Sequence, residues 1–126
     1  MITRAEAEEQ FYEWADTEHD LKRETIEHDT QRARFAETII CATERGRVSF
    51  CDGTIKYKLK YAVGGVEELT FNSRIKLAKL PANKKETEIS AALRMIEAYT
   101  STPLALLNDL DVFDFNRIAA IIAFFA

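Results

Sequence analysis

The spacing of apolar residues changes from helical to strand-like near Gly46, and this change limits what the chain can fold into. After it, Val48 and Phe50 alternate with polar residues up to Asp52–Gly53, a strong signal for a two-residue hairpin turn. With that loop, Phe50 faces Ile55, and the apolar residues of both strands share one side. The sequence therefore predicts an antiparallel hairpin immediately after a helix.

The second strand continues the apolar side of this hairpin, with lysines at the intervening positions. The apolar positions are Ile55, Tyr57, Leu59, Tyr61 and Val63, and the lysines are Lys56, Lys58 and Lys60. Gly64–Gly65 marks a second turn before a third strand, but a two-residue loop there would place Leu69 and Phe71 on the wrong face. We therefore expect an odd-length loop or a glycine bulge. The resulting three-stranded meander needs helices to cover its apolar face.

The residues before the sheet have a helical pattern. Thr3 with Glu6 forms a capping box at the start of a first helix. The stripe that follows is apolar at both ends but polar in its middle, which favours a break near Asp16–Thr17 and a second helix near residues 18–44. Gly46 suits the C-terminal cap of that helix.

The residues after the sheet also predict helices. Asn83 with Glu86 makes a helix start. The apolar stripe that follows is Ile89, Ala92, Leu93, Ile96 and Tyr99. Thr102 is then a cap, with Pro103 at the first position of a short helix that ends at Asn108.

The last helix, residues 112–125, is apolar nearly all round, which is typical of a helix that is buried or paired with a partner. Asp111 caps it, and Asp114 lies in its first turn, where the helix dipole favours an acid. Apolar residues of this helix and of the first one are candidates for a protein-binding surface, with ordinary core as the alternative. They are Phe11, Trp14, Ile118, Ile122, Phe124 and Phe125.

These patterns predict an α+β fold in a single domain spanning 1–126. It consists of a helical acidic arm at 1–46, a three-stranded antiparallel β-meander at 47–72, and C-terminal helices at 83–126 packed on the sheet. Residues 1–46 carry 12 acids and 6 bases, whereas residues 54–85 carry 8 bases and 2 acids. A basic middle beside an acidic arm can fold back on it or meet an acidic partner.

The sequence offers little support for catalysis. Its four glycines all serve turns or caps, which leaves none for a phosphate-binding loop, and no serine lies in a nucleophile elbow. Cys41 and Cys51 fit two reduced thiols. Asp20, Glu24 and His28 share a helix face that could touch a divalent ion, but we interpret them as a solvated charged face with i,i+4 contacts. We therefore predict no enzyme activity, no catalytic residue, no cofactor and no metal site.

Two further classes are disfavoured. Nucleic-acid binding needs stacking aromatics on the basic surface, but Tyr57 and Tyr61 alternate with the lysines and are predicted to face away from them. The longest apolar run, Ile118–Phe125, is too short to span a bilayer, and the acidic N-terminus does not read as a signal peptide. We therefore expect a cytoplasmic protein that binds neither membrane nor nucleic acid.

The order of features from residue 53 onward resembles that of tail assembly chaperones of long-tailed phages. In the sheet region the matching features are Asp52–Gly53, Gly64–Gly65, the run Glu68, Leu69, Thr70 and Phe71, and Arg74. In the C-terminal region they are Thr102–Pro103, Leu110–Asp111, Asp114–Phe115 and Phe124–Phe125. Two features differ from that family: the acidic arm before the sheet, and Asn72–Ser73–Arg74 where an arginine-proline pair is usual.

The resemblance implies a chaperone that binds the tape measure protein, assists assembly of the tail tube protein, and works in the host cytoplasm. It also fits a protein that forms a homo-oligomer to cover its binding surfaces. The alternative is an acidic regulatory or inhibitory protein, for example a phage-encoded antagonist of a host nucleic-acid machine, which presents its arm to a basic partner.

Overall fold

A computed structural model describes residues 2–72 and 88–125, without the side chains of residues 88 and 125. The fold is α+β, as the sequence predicts. The N-terminal helices are α1 (Arg4–His19), α2 (Arg23–His28) and α3 (Thr30–Glu44). The strands are β1 (Val48–Cys51), β2 (Thr54–Val63) and β3 (Val66–Phe71). The C-terminal helices are α4 (Glu88–Thr100), α5 (Leu104–Leu107) and α6 (Val112–Phe125). The helix start predicted at Asn83 and Glu86, and Arg74, lie outside the described residues.

The sheet is an antiparallel meander in the order β1-β2-β3. Phe50 pairs with Ile55, and Val48 pairs with Tyr57, which confirms the predicted register. Asp52–Gly53 forms the turn with both φ angles positive, 49° and 81°, as a type I′ hairpin requires.

Leu69 and Phe71 reach the apolar face because of an irregularity within β2. The odd-length loop or glycine bulge predicted at Gly64–Gly65 is not present. Val63 pairs directly with Val66 across Gly64–Gly65, but between this pair and Lys58–Glu68 the two strands lose register. The extra residues of β2 return the apolar residues of β3 to the buried side. They also turn Tyr61 outward to 48% exposure, so its predicted place on the apolar face is wrong.

The helical arm breaks later than predicted, and it breaks twice. Helix α1 continues through Asp16–Thr17 to His19, and the N–H of its cap residue Asp20 bonds to the carbonyls of Ala15 and Asp16. The left-handed conformation of Asp20 (φ 52°) then lets the Leu21 N–H bond to the Ala15 carbonyl at 3.2 Å. A second break falls at Asp29, whose carboxylate accepts from the N–H groups of the first turn of α3. The positions of the two breaks are therefore set by capping at Asp20 and Asp29, and not by the polar middle of the apolar stripe.

Two predicted caps of the arm are confirmed. Thr3 and Glu6 form the capping box of α1. After α3, Gly46 adopts φ 80°, its N–H bonds to the Thr43 carbonyl, and the N–H of Arg47 bonds to the Ala42 carbonyl. These two bonds form a Schellman motif that turns the chain directly into β1.

The arm packs on the body through an aromatic cluster. The ring centroid of Phe11 lies 5.1 Å from that of Phe124 and 6.4 Å from that of Phe50. The Trp14 ring lies 5.5 Å from Phe50 and 5.9 Å from Phe124. One core therefore joins α1, β1 and α6, while α3 packs along both α1 and α6.

The C-terminal helices cover the other part of the sheet, with α4 against β3 and α6 against β2. Leu93, Ile96 and Tyr99 of α4 are buried as predicted, but Ile89 is 64% exposed. Pro103 precedes α5 as its cap residue and does not occupy its first position. The carboxylate of Glu97 instead accepts from the N–H of Leu104 at 2.9 Å.

Candidate functional site

A buried carboxylate joins α6 to the irregular part of β2. Asp114 is fully buried, and its Oδ1 accepts from the Tyr57 hydroxyl at 2.8 Å and from the Lys60 N–H at 3.0 Å. Its Oδ2 accepts from the N–H of Tyr61 at 3.0 Å. The Lys58 N–H bonds to the carbonyl of Arg47, the residue just before β1. Further along β2 no residue of β1 lies opposite, so the N–H groups there need another acceptor. Asp114 supplies that acceptor and fixes the outward turn of Tyr61.

Burial and the bond to Asp114 raise the pKa of the Tyr57 hydroxyl well above its usual value of about 10. The unfolded chain therefore releases this proton at a lower pH than the folded protein does. Above pH of about 10 the unfolded state binds fewer protons, and stability must fall as the pH rises further.

We therefore expect Tyr57→Phe to lose stability less steeply than the wild type between about pH 10 and pH 12. Urea denaturation followed by circular dichroism across this range measures the slope. Tyr61→Phe alters an exposed tyrosine and should keep the slope of the wild type. A wild-type slope in Tyr57→Phe would contradict the coupling between Tyr57 and Asp114.

Cationic side chains surround the ring of Phe113 beside this carboxylate. The Arg117 guanidinium carbon lies 3.6 Å from the ring centroid, Lys60 Nζ 4.5 Å and the Arg47 guanidinium carbon 5.6 Å. Tyr61 meets the same ring edge-on at 6.5 Å. These residues together with Arg45 are called the Phe113 cluster. All of them except Tyr61 line a cavity of about 560 Å³ between α3, β2 and α6.

A larger cavity than this one, about 800 Å³, is a groove between α1 and β1. Apolar side chains that are buried or half-buried form its base: Ile2, Trp14, Val48 and Phe50. Acidic side chains lie on both walls: Glu13 and Glu18 from α1, and Asp52 from the hairpin turn. The Trp14 indole N–H donates to the Gly53 carbonyl at 3.3 Å and holds the turn against α1.

The groove runs beside an open strand edge. Within residues 2–72 and 88–125, β1 pairs only with β2, so the backbone groups on its other side have no strand partner. An open edge next to an apolar base and acidic walls is suited to a segment of another polypeptide.

Most of the candidate binding residues predicted from sequence lie in the core. The five whose side chains are described are at most 7% exposed: Phe11, Trp14, Ile118, Ile122 and Phe124. They cover one another and the sheet, so in this conformation they are not available to a partner. The side chain of Phe125 lies outside the described residues. Of the five described residues, Trp14 alone lines the groove.

Sequence reasoning missed both the buried role of Asp114 and the Phe113 cluster. Asp114 was expected to serve only the helix dipole, because a first-turn acid is usually solvated. Arg117 follows Phe113 by four residues, a spacing that places them on one helix face and could have suggested their contact. The contribution of Arg47 and Lys60 depends on how α6 crosses the sheet.

The described part of the chain holds no group of three His, Cys, Asp or Glu side chains placed to bind a metal ion. Cys41 is half-buried and Cys51 exposed, both as free thiols. None of the described helices is both long enough and apolar enough to cross a membrane. Comparison with protein-family models, curated proteins and solved structures finds no match to this chain.

Proposed function

We propose that the chain is a non-catalytic protein-binding protein, and specifically a tail assembly chaperone that binds the tape measure protein and assists tail tube assembly. The specific role comes from the resemblance of residues 53–126 to that family. The observation that supports protein binding is the groove between α1 and β1, which has an apolar base, acidic walls and, in the described part of the chain, a strand edge without a strand partner.

The dimensions and chemistry of the groove agree with this role. A cavity of about 800 Å³ is large enough for several side chains of a client segment. The half-buried ring of Phe50 offers aromatic surface, which is favoured at protein interfaces. The acidic walls would attract basic residues that flank an apolar client segment and would keep the unoccupied groove hydrated.

Filling the groove should weaken client binding without unfolding the protein. Ser49 is exposed and lines the groove, so Ser49→Trp should occupy it and raise the dissociation constant for a tape measure fragment by about tenfold or more. Co-purification of the two proteins, followed by isothermal titration calorimetry, measures the effect.

The matched control is Thr70→Trp. Thr70 and Ser49 both pair with Lys56, so they lie in one row across the sheet, but Thr70 is in β3, away from the groove. Thr70→Trp should bind the fragment as the wild type does. Failure of the wild-type protein to bind any tape measure fragment would reject the chaperone role, whereas equal binding by both variants would reject only the groove as the site.

A second candidate function is favoured by the exposed acids of α1. Glu6, Glu9, Glu13, Asp16 and Asp20 recur at helical spacing and are all exposed, as an acidic regulatory protein would require for a basic partner. In that case Ser49→Trp would leave partner binding intact, and binding would weaken steeply with added salt.

A further inference from the structure

The Phe113 cluster concentrates positive charge in a protein whose net charge is −4. Arg45, Arg47, Lys60 and Arg117 all line its cavity. Within the described residues none of these four cations forms an ion pair. Glu37, the acid that lines the same cavity, is already paired with Arg4. The cluster therefore offers several unneutralised cations to an anionic partner.

The exposed acids of α1 supply the complementary surface. Glu6, Glu9, Glu13, Asp16 and Asp20 form a row about 21 Å long on one side of the helix. We call these five residues the acidic row. Glu9, Glu13 and Asp20 form no ion pair within the described residues. Asp16 meets Lys22 at 3.5 Å in an exposed pair, which contributes little stability.

The acidic row cannot reach the Phe113 cluster of its own chain. The opposite side of α1 carries Ala7, Phe11 and Ala15, which are fully buried against the body. Apart from Glu13, which lines the groove between α1 and β1, the row therefore points away from the body. Within residues 2–72 and 88–125 it does not neutralise the Phe113 cluster. The two complementary surfaces can meet only between two copies of the chain.

We propose that the chain self-associates by docking the acidic row of one copy on the Phe113 cluster of another. A polypeptide partner suits the cluster better than a nucleic acid. The Arg117 guanidinium covers a face of the Phe113 ring at 3.6 Å, so a base cannot stack on that face. The net negative charge of the chain also opposes the approach of a polyanion. Contact between copies brings the carboxylates of the acidic row next to the cations of the Phe113 cluster.

The test is sedimentation velocity of the full chain in about 50 mM and about 500 mM NaCl, because screening weakens contacts between exposed charges. The wild type should associate at low salt and become monomeric at high salt. Lys60→Glu should raise the dissociation constant of self-association by about tenfold or more at low salt. The matched control is Lys56→Glu, which is on the same strand but does not line the cavity, and it should associate as the wild type does.

A complementation experiment separates lost docking from lost folding. The double variant Glu9→Lys, Asp16→Lys alters the row without touching the groove between α1 and β1, and it should be monomeric at low salt. An equimolar mixture with Lys60→Glu should regain association, because one variant keeps the row and the other keeps the cluster. Misfolded variants could not do so.

Three results would overturn the proposal. The first is a monomeric wild type at low salt, and the second is a mixture that stays monomeric. The third is a complex between the wild type and a single-stranded oligonucleotide at low salt that Lys60→Glu abolishes, since this would make the cluster a nucleic-acid site.

Discussion

Replacing Asp114 by alanine should lower the free energy of unfolding by about 4 kcal/mol, a large part of the stability of a domain of this size. The substitution leaves three donors without their acceptor: the Tyr57 hydroxyl and the N–H groups of Lys60 and Tyr61. A buried donor such as the Tyr57 hydroxyl costs about 1–3 kcal/mol when it loses its partner, and the two part-buried N–H groups cost less each. Urea denaturation followed by circular dichroism measures the loss.

Conservative variants test whether the hydrogen bonds carry this effect. Asp114→Asn keeps the shape but replaces one acceptor by a donor, so it should cost about 2 kcal/mol. Tyr57→Phe removes one donor and leaves the two backbone bonds, so it should cost about 1 kcal/mol. Asp109→Ala changes an exposed acid just before α6 and should stay within about 0.5 kcal/mol of the wild type. If Asp114→Ala were as stable as Asp109→Ala, the carboxylate would not hold α6 on β2.

Replacing Phe124 by alanine should destabilise the protein by about 4 kcal/mol. Phe124 is 2% exposed, and its ring packs against Phe11 at 5.1 Å and Trp14 at 5.9 Å. The truncation therefore leaves a cavity where the arm meets α6. Thermal and urea denaturation measure the change in stability.

The same variant separates a core residue from an interface residue. If Phe124 belongs to the core, Phe124→Ala lowers stability and leaves the oligomeric state of the folded protein unchanged. The control is Val112→Ala at the start of α6, because Val112 is 70% exposed and should tolerate truncation within about 0.5 kcal/mol. A Phe124→Ala protein of wild-type stability that sediments differently would show that the end of α6 serves an interface.

The two proposals place client binding and self-association at different cavities, on different parts of the sheet. The groove beside β1 has an apolar base and would take a client segment, whereas the Phe113 cluster over β2 is charged and would join copies of the chain. Ser49→Trp affects only the first and Lys60→Glu only the second. The two proposals can therefore fail independently.

The alternation of side chains and the turn residues were enough to predict the meander. Asp52–Gly53 determined both the loop and the pairing of Phe50 with Ile55, because a two-residue turn leaves one register that buries the apolar residues. The caps at Thr3 and Gly46 could also be predicted from sequence, since each depends on groups within a few residues. Local chemistry thus determined the element types, their order and the α+β class.

Only the tertiary structure decided the details that depend on residues distant in sequence. The irregular stretch of β2 exposes Tyr61 because a carboxylate from α6, more than fifty residues later in the chain, accepts its N–H. The aromatic residues of the arm became core because α1 packs on Phe50 and Phe124. The surfaces that we propose for binding therefore differ from the predicted ones: they are the groove beside β1 and the Phe113 cluster, and not the apolar end of α6. Periodicity reports which side of an element is apolar, but the element packed against that side is set by the whole fold.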